Sequence, residues 1–283
     1  MSSTPSQQTI SRPVTVEGRG LHSGVQVTAR LHPAGPNAGI RFRRIDLGPA
    51  AIVDASVENA VEAERRTELR SGETTVHTVE HLLAAAASLD LDNLEIELDG
   101  PEPPALDGSA APWVRAFEDG GVREQDALAR VGAVTRQVSL REGESRYTVS
   151  PWNSYRVTAT IEFDHPLVGR QSEVAEVDTA FATQFAPART FGLARWKDEL
   201  QARGLALGAS TMNTVVLTDD GLADGTSLRF PNEFVRHKIV DVVGDLALLG
   251  VRLRADVVAE RPSHKGNLAL ARRLREQVKA RHA

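Results

Sequence analysis

The chain contains no cysteine. That absence removes disulfides, thiolate metal sites and a cysteine nucleophile together, so any bound metal must sit on His, Asp or Glu. Positive charge is not in excess. Lys and Arg total 33 against 38 Asp and Glu, a formal net charge of −5 with a pI near 5.9, which argues against a broad nucleic-acid surface. No window approaches the roughly 18 apolar residues of a membrane span. The opening MSSTPSQQTISRP lacks the basic-then-apolar order of a signal peptide, so the expectation is a soluble cytoplasmic protein. Neither a Walker A pattern nor a GxGxxG after a strand occurs, and the usual nucleotide cradles are therefore missing.

What is present is a chain of 283 residues, long enough for two domains of about 140 residues each. VQVTARLHP, GIRFRRIDL and LEIELDG alternate apolar and polar residues and predict strands. TTVHTVEHLLAAAASLDL after Gly72 predicts a helix with Val76, Val79, Leu83 and Ala86 near one face. A second short helix follows in DGSAAPWVRAFEDGG. Residues 117–126 form the best boundary and split the chain into 1–121 and 122–283. Beyond it come strands in GAVTRQVSL, SRYTVSP and YRVTATIEF, a helix in LARWKDELQARG, the strand TVVLT, the helix HKIVDVVGDLALLG, the strand ADVVAE and a final helix. Each half offers strands plus at least two helices, an α+β plan in two copies without a residue-level repeat. The basic end ALARRLREQVKARHA carries Arg272, Arg273, Arg275, Lys279 and Arg281; it reads as a solvated helix, with contact to anionic headgroups as the alternative.

His237, Asp241 and Asp245 recur at i, i+4 and i+8, which stacks them in one stripe. Ile239, Val240, Val242 and Val243 between them would drive that stripe into a core, where polar groups need partners. A divalent cation such as zinc is one partner for a His and an Asp one turn apart; an ordinary ion-paired stripe is the other. Glu80 and His81 are adjacent and diverge by about 100° on a helix. They can flank one site, His81 toward a metal and Glu80 toward its water, or be a surface Glu and a hydrogen-bonded His. His77 and His81, also i and i+4, offer a competing pair. His264 in ERPSHKGN reads as a loop residue able to protonate a leaving amine, with Asp245 holding its other nitrogen. Thr190 in PARTFG can face an oxyanion.

Taken in order, GRGLHSG, TVEHLLAA, DGSAAPW, ARTFG, EFVRHKIVDVVGDL and SHKGN span nearly the whole chain. In these segments the chain resembles the UDP-3-O-acyl-N-acetylglucosamine deacetylase family, zinc amidases that commit the cell to lipid A synthesis. The resemblance implies two similar domains, each a small β-sheet layered against two helices, with the active site at their junction. It implies zinc on His81, His237 and Asp241, a general base at Glu80, a general acid at His264 oriented by Asp245, and an oxyanion-binding hydroxyl at Thr190. Lys238 and Phe191 match substrate-contacting positions. Leu193, Leu200 and Leu207, with Leu205 and Met212, fall where the family builds its acyl-chain passage, and Arg261 supplies a positive charge for UDP. Ala194, Trp196 and Lys197 depart from the family's usual aliphatic groups there.

The implied partner is a UDP-linked acylated amino sugar, with no nucleic acid and at most peripheral membrane contact, and the implied state is a monomer. Two rival readings stand beside it: a zinc amidase for another N-acetylated metabolite, and a catalytically silent protein that binds a nucleotide-sugar lipid precursor.

Overall fold

A computed structural model describes residues 4–178 and 180–278. The chain runs through β1 (Ser6–Ile10), β2 (Val14–Arg19), β3 (Gln26–Pro33), β4 (Ile40–Arg44), β5 (Ile52–Asp54), β6 (Ala60–Val61), β7 (Glu68–Ser71), β8 (Thr74–His77), α1 (Glu80–Ser88), β9 (Leu94–Leu98) and α2 (Ala111–Gly120). It continues through β10 (Val122–Leu128), β11 (Val131–Ala133), β12 (Val138–Glu142), β13 (Ser145–Pro151), β14 (Tyr155–Glu162), β15 (Arg170–Glu176), α3 (Phe181–Gln184), β16 (Phe191–Leu193), a 3₁₀ turn at Ala194–Trp196, α4 (Lys197–Ala202), β17 (Val215–Leu217), α5 (Glu233–Ala247), β18 (Arg252–Glu260) and α6 (His264–Arg275).

Two sheets share one plan. The first is ordered β2-β3-β9-β4-β5 and the second β12-β13-β18-β14-β15, with β11 added alongside β18. In both, the last strand in sequence enters the centre, antiparallel to the second strand and parallel to the third. A helix precedes that central strand, α1 in one copy and α5 in the other, and a second helix follows it, α2 or α6. The duplication expected from the element order is thus plain in topology although the residues have diverged. Each copy carries an insertion at the same point, between its last edge strand and its first helix. In the first it is the three-stranded sheet β6-β7-β8; in the second it holds α3, α4 and the parallel pair β16-β17.

The strands form where alternation is clean. β3 buries Val27, Ala29 and Leu31, and β9 buries Leu94, Ile96 and Leu98, while the intervening residues face outward. α1 and α5 are buried on nearly every side: Leu82, Leu83, Ala84, Ala85 and Ala86 on one, Ile239, Val240, Val242 and Val243 on the other, are all within 1% of complete burial. Each Leu, Ile or Val side chain among them contributes about 1.5–3 kcal/mol on leaving water, which holds a helix inside the core despite polar passengers. β1 pairs antiparallel with β10, so Ser6–Ile10 is tied to the segment that follows α2.

Two expectations need correction. The first-half helix begins at Glu80, because Thr74–His77 is strand β8 paired to β7. Val76 therefore lies on a strand, and His77 and His81 are not one helical turn apart. His264 is also no loop residue: it is the first residue of α6, behind the cap Ser263, whose hydroxyl accepts from the Gly266 N–H at 3.1 Å. No helix among the described residues is long and apolar enough to cross a membrane. Lys279 and Arg281 lie outside the described residues.

Candidate metal centre and its polar surround

α1 and α5 pack directly against each other, and their backbones come close at Gly244. A Cβ there would collide with the Glu80 carbonyl oxygen, so only glycine lets the two backbones meet. The contact lays the first turn of α1 along the C-terminal part of α5. His81, His237 and Asp241, all buried, then converge with one ligating atom from each within 4.8 Å of the others. Asp241 Oδ1 lies 3.3 Å from His237 Nε2 and 3.7 Å from His81 Nε2.

Asp241 Oδ1 is buried and accepts no hydrogen bond, while Oδ2 accepts one from Lys238 Nζ at 2.6 Å. An orphaned carboxylate oxygen facing two imidazole nitrogens is costly unless a cation completes the set. His237 is prepared for that role. Its Nδ1 donates to the Ala188 carbonyl at 3.1 Å, leaving the Nε2 lone pair toward the cluster, and burial pushes its pKa down to about 4, so the ring is neutral. Burial pushes the Asp241 carboxyl up, but the surrounding His237, Lys238 and His264 hold it well below the usual range and keep it ionised. Two neutral imidazoles and one carboxylate are a donor set that fits zinc with a coordination position to spare.

Beside this cluster lies a second constellation. Glu80 is 2% exposed, and burial raises its pKa. Its Oε1 is 3.8 Å from His264 Nε2, and its Oε2 accepts from the Thr67 N–H at 3.2 Å. His264 Nδ1 donates to Asp245 Oδ2 at 2.9 Å. Burial disfavours the imidazolium, but Asp245, Glu80 and Asp241 outweigh it and lift the His264 pKa to about 9. Asp245 is fully buried and accepts further bonds from Asn267 Nδ2 at 2.8 Å and from the Thr67 hydroxyl. A cationic imidazole and a carboxylate poised to take a proton thus lie beside the candidate cation ligands, His264 Nε2 being 3.8 Å from both Glu80 Oε1 and Asp241 Oδ2, an arrangement suited to hydrolysis.

The remaining expected residues divide. Phe191 stacks edge-on against Phe234 and Phe163 and reaches His237 at a ring separation of 6.3 Å. Thr190 sits between Phe191 and Ala188, its backbone bonded to Gly108 and Val215. Leu193, Lys238 and Arg261 line a cavity of about 590 Å³ together with Trp196, Pro262 and Lys265. The Arg261 guanidinium is bound to Glu162 at 2.7 Å. Leu200 and Leu207 do not line that cavity: Leu200 is on α4, and Leu207 is half-exposed with its N–H on the His22 carbonyl.

Sequence reasoning missed Thr67, Asn267 and the buried carboxylates Glu102 and Glu233. Glu102 accepts from the backbone N–H groups of His22 and Ser23 and from the Ser23 and Thr78 hydroxyls, joining the GRGLHSG loop to the entry of α1. Glu233 binds Arg189 at 2.8 Å and so anchors the ARTFG turn to the start of α5. Asn267 had a readable signal, since it lies three residues beyond His264 on the same helical face.

Fold and site together define the class: an α+β protein of duplicated plan with a buried His-His-Asp centre suited to a metalloenzyme. The sequence matches the profile of the UDP-3-O-acyl N-acetylglycosamine deacetylase family over residues 7–276. It is 41% identical over 262 residues to the UDP-3-O-acyl-N-acetylglucosamine deacetylase of Geotalea uraniireducens, covering 92% of this chain and 85% of that one. The enzymes of that name from Myxococcus xanthus and Pseudomonas entomophila are each 40% identical, over 96% and 95% of this chain and 87% and 89% of theirs. The chain belongs to the UDP-3-O-acyl N-acetylglycosamine deacetylase family.

Proposed function

We propose that this protein removes the acetyl group from UDP-3-O-acyl-N-acetylglucosamine, releasing acetate and UDP-3-O-acyl-glucosamine at the committed step of lipid A synthesis. The observation that carries the reading is the orphaned Asp241 Oδ1 between His81 and His237, beside a Glu80 and a His264 that hold opposite ends of a proton transfer. Zn²⁺ on His81, His237 and Asp241, when bound, supplies a Lewis acid for the acetamide carbonyl and for water. Glu80, its carboxylate destabilised by burial, accepts the proton of the attacking water. Thr190 donates its hydroxyl to the tetrahedral oxyanion. His264, kept protonated by Asp245, delivers a proton to the departing glucosamine nitrogen and turns a poor leaving group into an amine.

Lys238, Phe191 and Arg261 are read as substrate contacts, and Leu193 with Trp196 as one wall of the space for the 3-O-acyl chain, an apolar tail that gains from leaving water. The division into domains 1–121 and 122–283 is part of the same proposal, supported by α2 ending at Gly120 and the second sheet drawing all its strands from beyond it. So are a cytoplasmic monomer and at most peripheral membrane contact. Acetate release from UDP-3-O-acyl-N-acetylglucosamine, measured beside the same assay with N-acetylated sugars lacking UDP and the acyl chain, tests the function. Turnover confined to the nucleotide-linked substrate is expected; equal turnover of a simple N-acetyl sugar would overturn the substrate assignment.

A further inference from the structure

We infer that Thr67 is a positioning residue that holds the Glu80 carboxylate and the His264–Asp245 pair in one frame. Thr67 is completely buried just ahead of β7, in the three-stranded insertion. All three of its polar groups are spent at the site. Its N–H donates to Glu80 Oε2 at 3.2 Å, its carbonyl accepts from the Thr78 N–H at 2.8 Å, and its hydroxyl donates to Asp245 Oδ1. The same hydroxyl oxygen lies 3.3 Å from His264 Nδ1.

The two oxygens of Asp245 show why one hydroxyl matters. Oδ2 accepts from both His264 and Asn267, whereas Thr67 is the only donor recorded for Oδ1 among the described residues. Without that hydroxyl, a fully buried carboxylate oxygen loses its partner and the carboxylate is free to turn, carrying the imidazole with it. The carbonyl bond serves the other side of the site. Thr78 has a φ of 55°, a left-handed turn that redirects the chain from β8 into α1 two residues before Glu80. Thr67 therefore fixes the entry of the helix that carries Glu80, the rotamer of Glu80, and the orientation of the carboxylate behind His264. This gives the first insertion a task that its short strands do not suggest: it delivers one residue between two helices.

This inference rests on the proposed roles of Glu80 and His264, so the test pairs Thr67→Val and Thr67→Ser with Glu80→Gln in the zinc-loaded full chain. Val keeps the shape and removes the hydroxyl; Ser keeps the hydroxyl. Thr67→Val is expected to lower kcat about tenfold or more with KM within about twofold, because the loss falls on the transition state rather than on binding. Zinc content should remain at the parent value, and Thr67→Ser should recover kcat to within about threefold of the parent. Parental kcat in Thr67→Val, or a Thr67→Ser as slow as Thr67→Val, would overturn the inference. Should Thr67→Val not fold, the Ser variant alone decides on the same criterion. Glu80→Gln separates the two claims: if it turns over normally, the proposed mechanism fails; if it is inactive while Thr67→Val is unimpaired, only the role of Thr67 fails.

Discussion

At the residue scale, the proposed chemistry depends on three acidic groups and three histidines lying together in unequal states. Glu80→Ala should lower turnover by about two orders of magnitude or more while the protein keeps its metal, whereas His237→Ala should lose the metal itself. Metal analysis beside steady-state kinetics separates the two outcomes, and a metal-loaded Glu80→Ala variant at the parental rate would remove Glu80 from the mechanism. The pH dependence follows from the signs of the shifts. His264 is raised from 6.5 to about 9, so the stability gained from its proton is fully present below 6.5 and is lost as pH rises through about 9. The proton that the proposed mechanism has it donate disappears over the same interval. kcat/KM should therefore fall on the basic side near 9, and Asp245→Asn, which removes the leading source of that elevation, should move the basic limb to lower pH. Burial raises Glu80 above 4.5, which places the acidic limb above the ordinary carboxylate value. Both limbs belong to the coupled set rather than to single residues. A pH–rate profile with an unmoved basic limb in Asp245→Asn would contradict the pairing. The stripe of His237, Asp241 and Asp245 was legible in the sequence because helical spacing alone aligns it. Thr67 was not, because its partners Thr78, Glu80 and Asp245 all lie outside any local pattern that could mark it, the last of them 178 positions away.

At the element scale, the site is made by two helices touching at one glycine. Gly244→Ala adds a methyl group where the Glu80 carbonyl already stands, so α1 and α5 must separate or bend. Overpacking of this kind costs about 1–3 kcal/mol, and the same displacement draws His81 away from His237 and Asp241. A lower melting temperature together with weakened zinc binding is expected from Gly244→Ala; parental affinity for zinc would show that the close approach is not what assembles the ligands. The runs that became α1, α2, α5 and α6 were readable from apolar periodicity and composition. The start of α1 was not, because Thr74–His77 continues smoothly into the helical pattern and only the backbone turn at Thr78 breaks it. The cap at His264 could have been read from Ser263 ahead of Gly266. The insertion strands β6, β7 and β8, of 2, 4 and 4 residues, are too short for alternation to register.

At the scale of the whole molecule, the duplicated plan explains why the candidate metal ligands meet where they do. His81 comes from the helix before the central strand of one copy, and His237 with Asp241 from the corresponding helix of the other, so the ligands converge only when both copies are folded against each other. Binding there is linked to global stability. Zinc at 100 times its dissociation constant adds about 2.7 kcal/mol, which raises the melting temperature of a chain this size by about 5 °C. Scanning calorimetry should show that rise for the parent and none for His237→Ala. The duplication was legible as a repeated order of elements, but the shared strand order of the two sheets was not, since it depends on pairings between strands distant in sequence.

The central claim is that His81, His237 and Asp241 hold a single cation on which deacetylation depends. Acetate release from UDP-3-O-acyl-N-acetylglucosamine by chelator-treated protein, titrated with Zn²⁺, tests it most directly. The account predicts negligible release without metal, recovery to a maximum at one equivalent of zinc, and no recovery in His81→Ala. Full activity of the stripped protein, or equal recovery in His81→Ala, would contradict it.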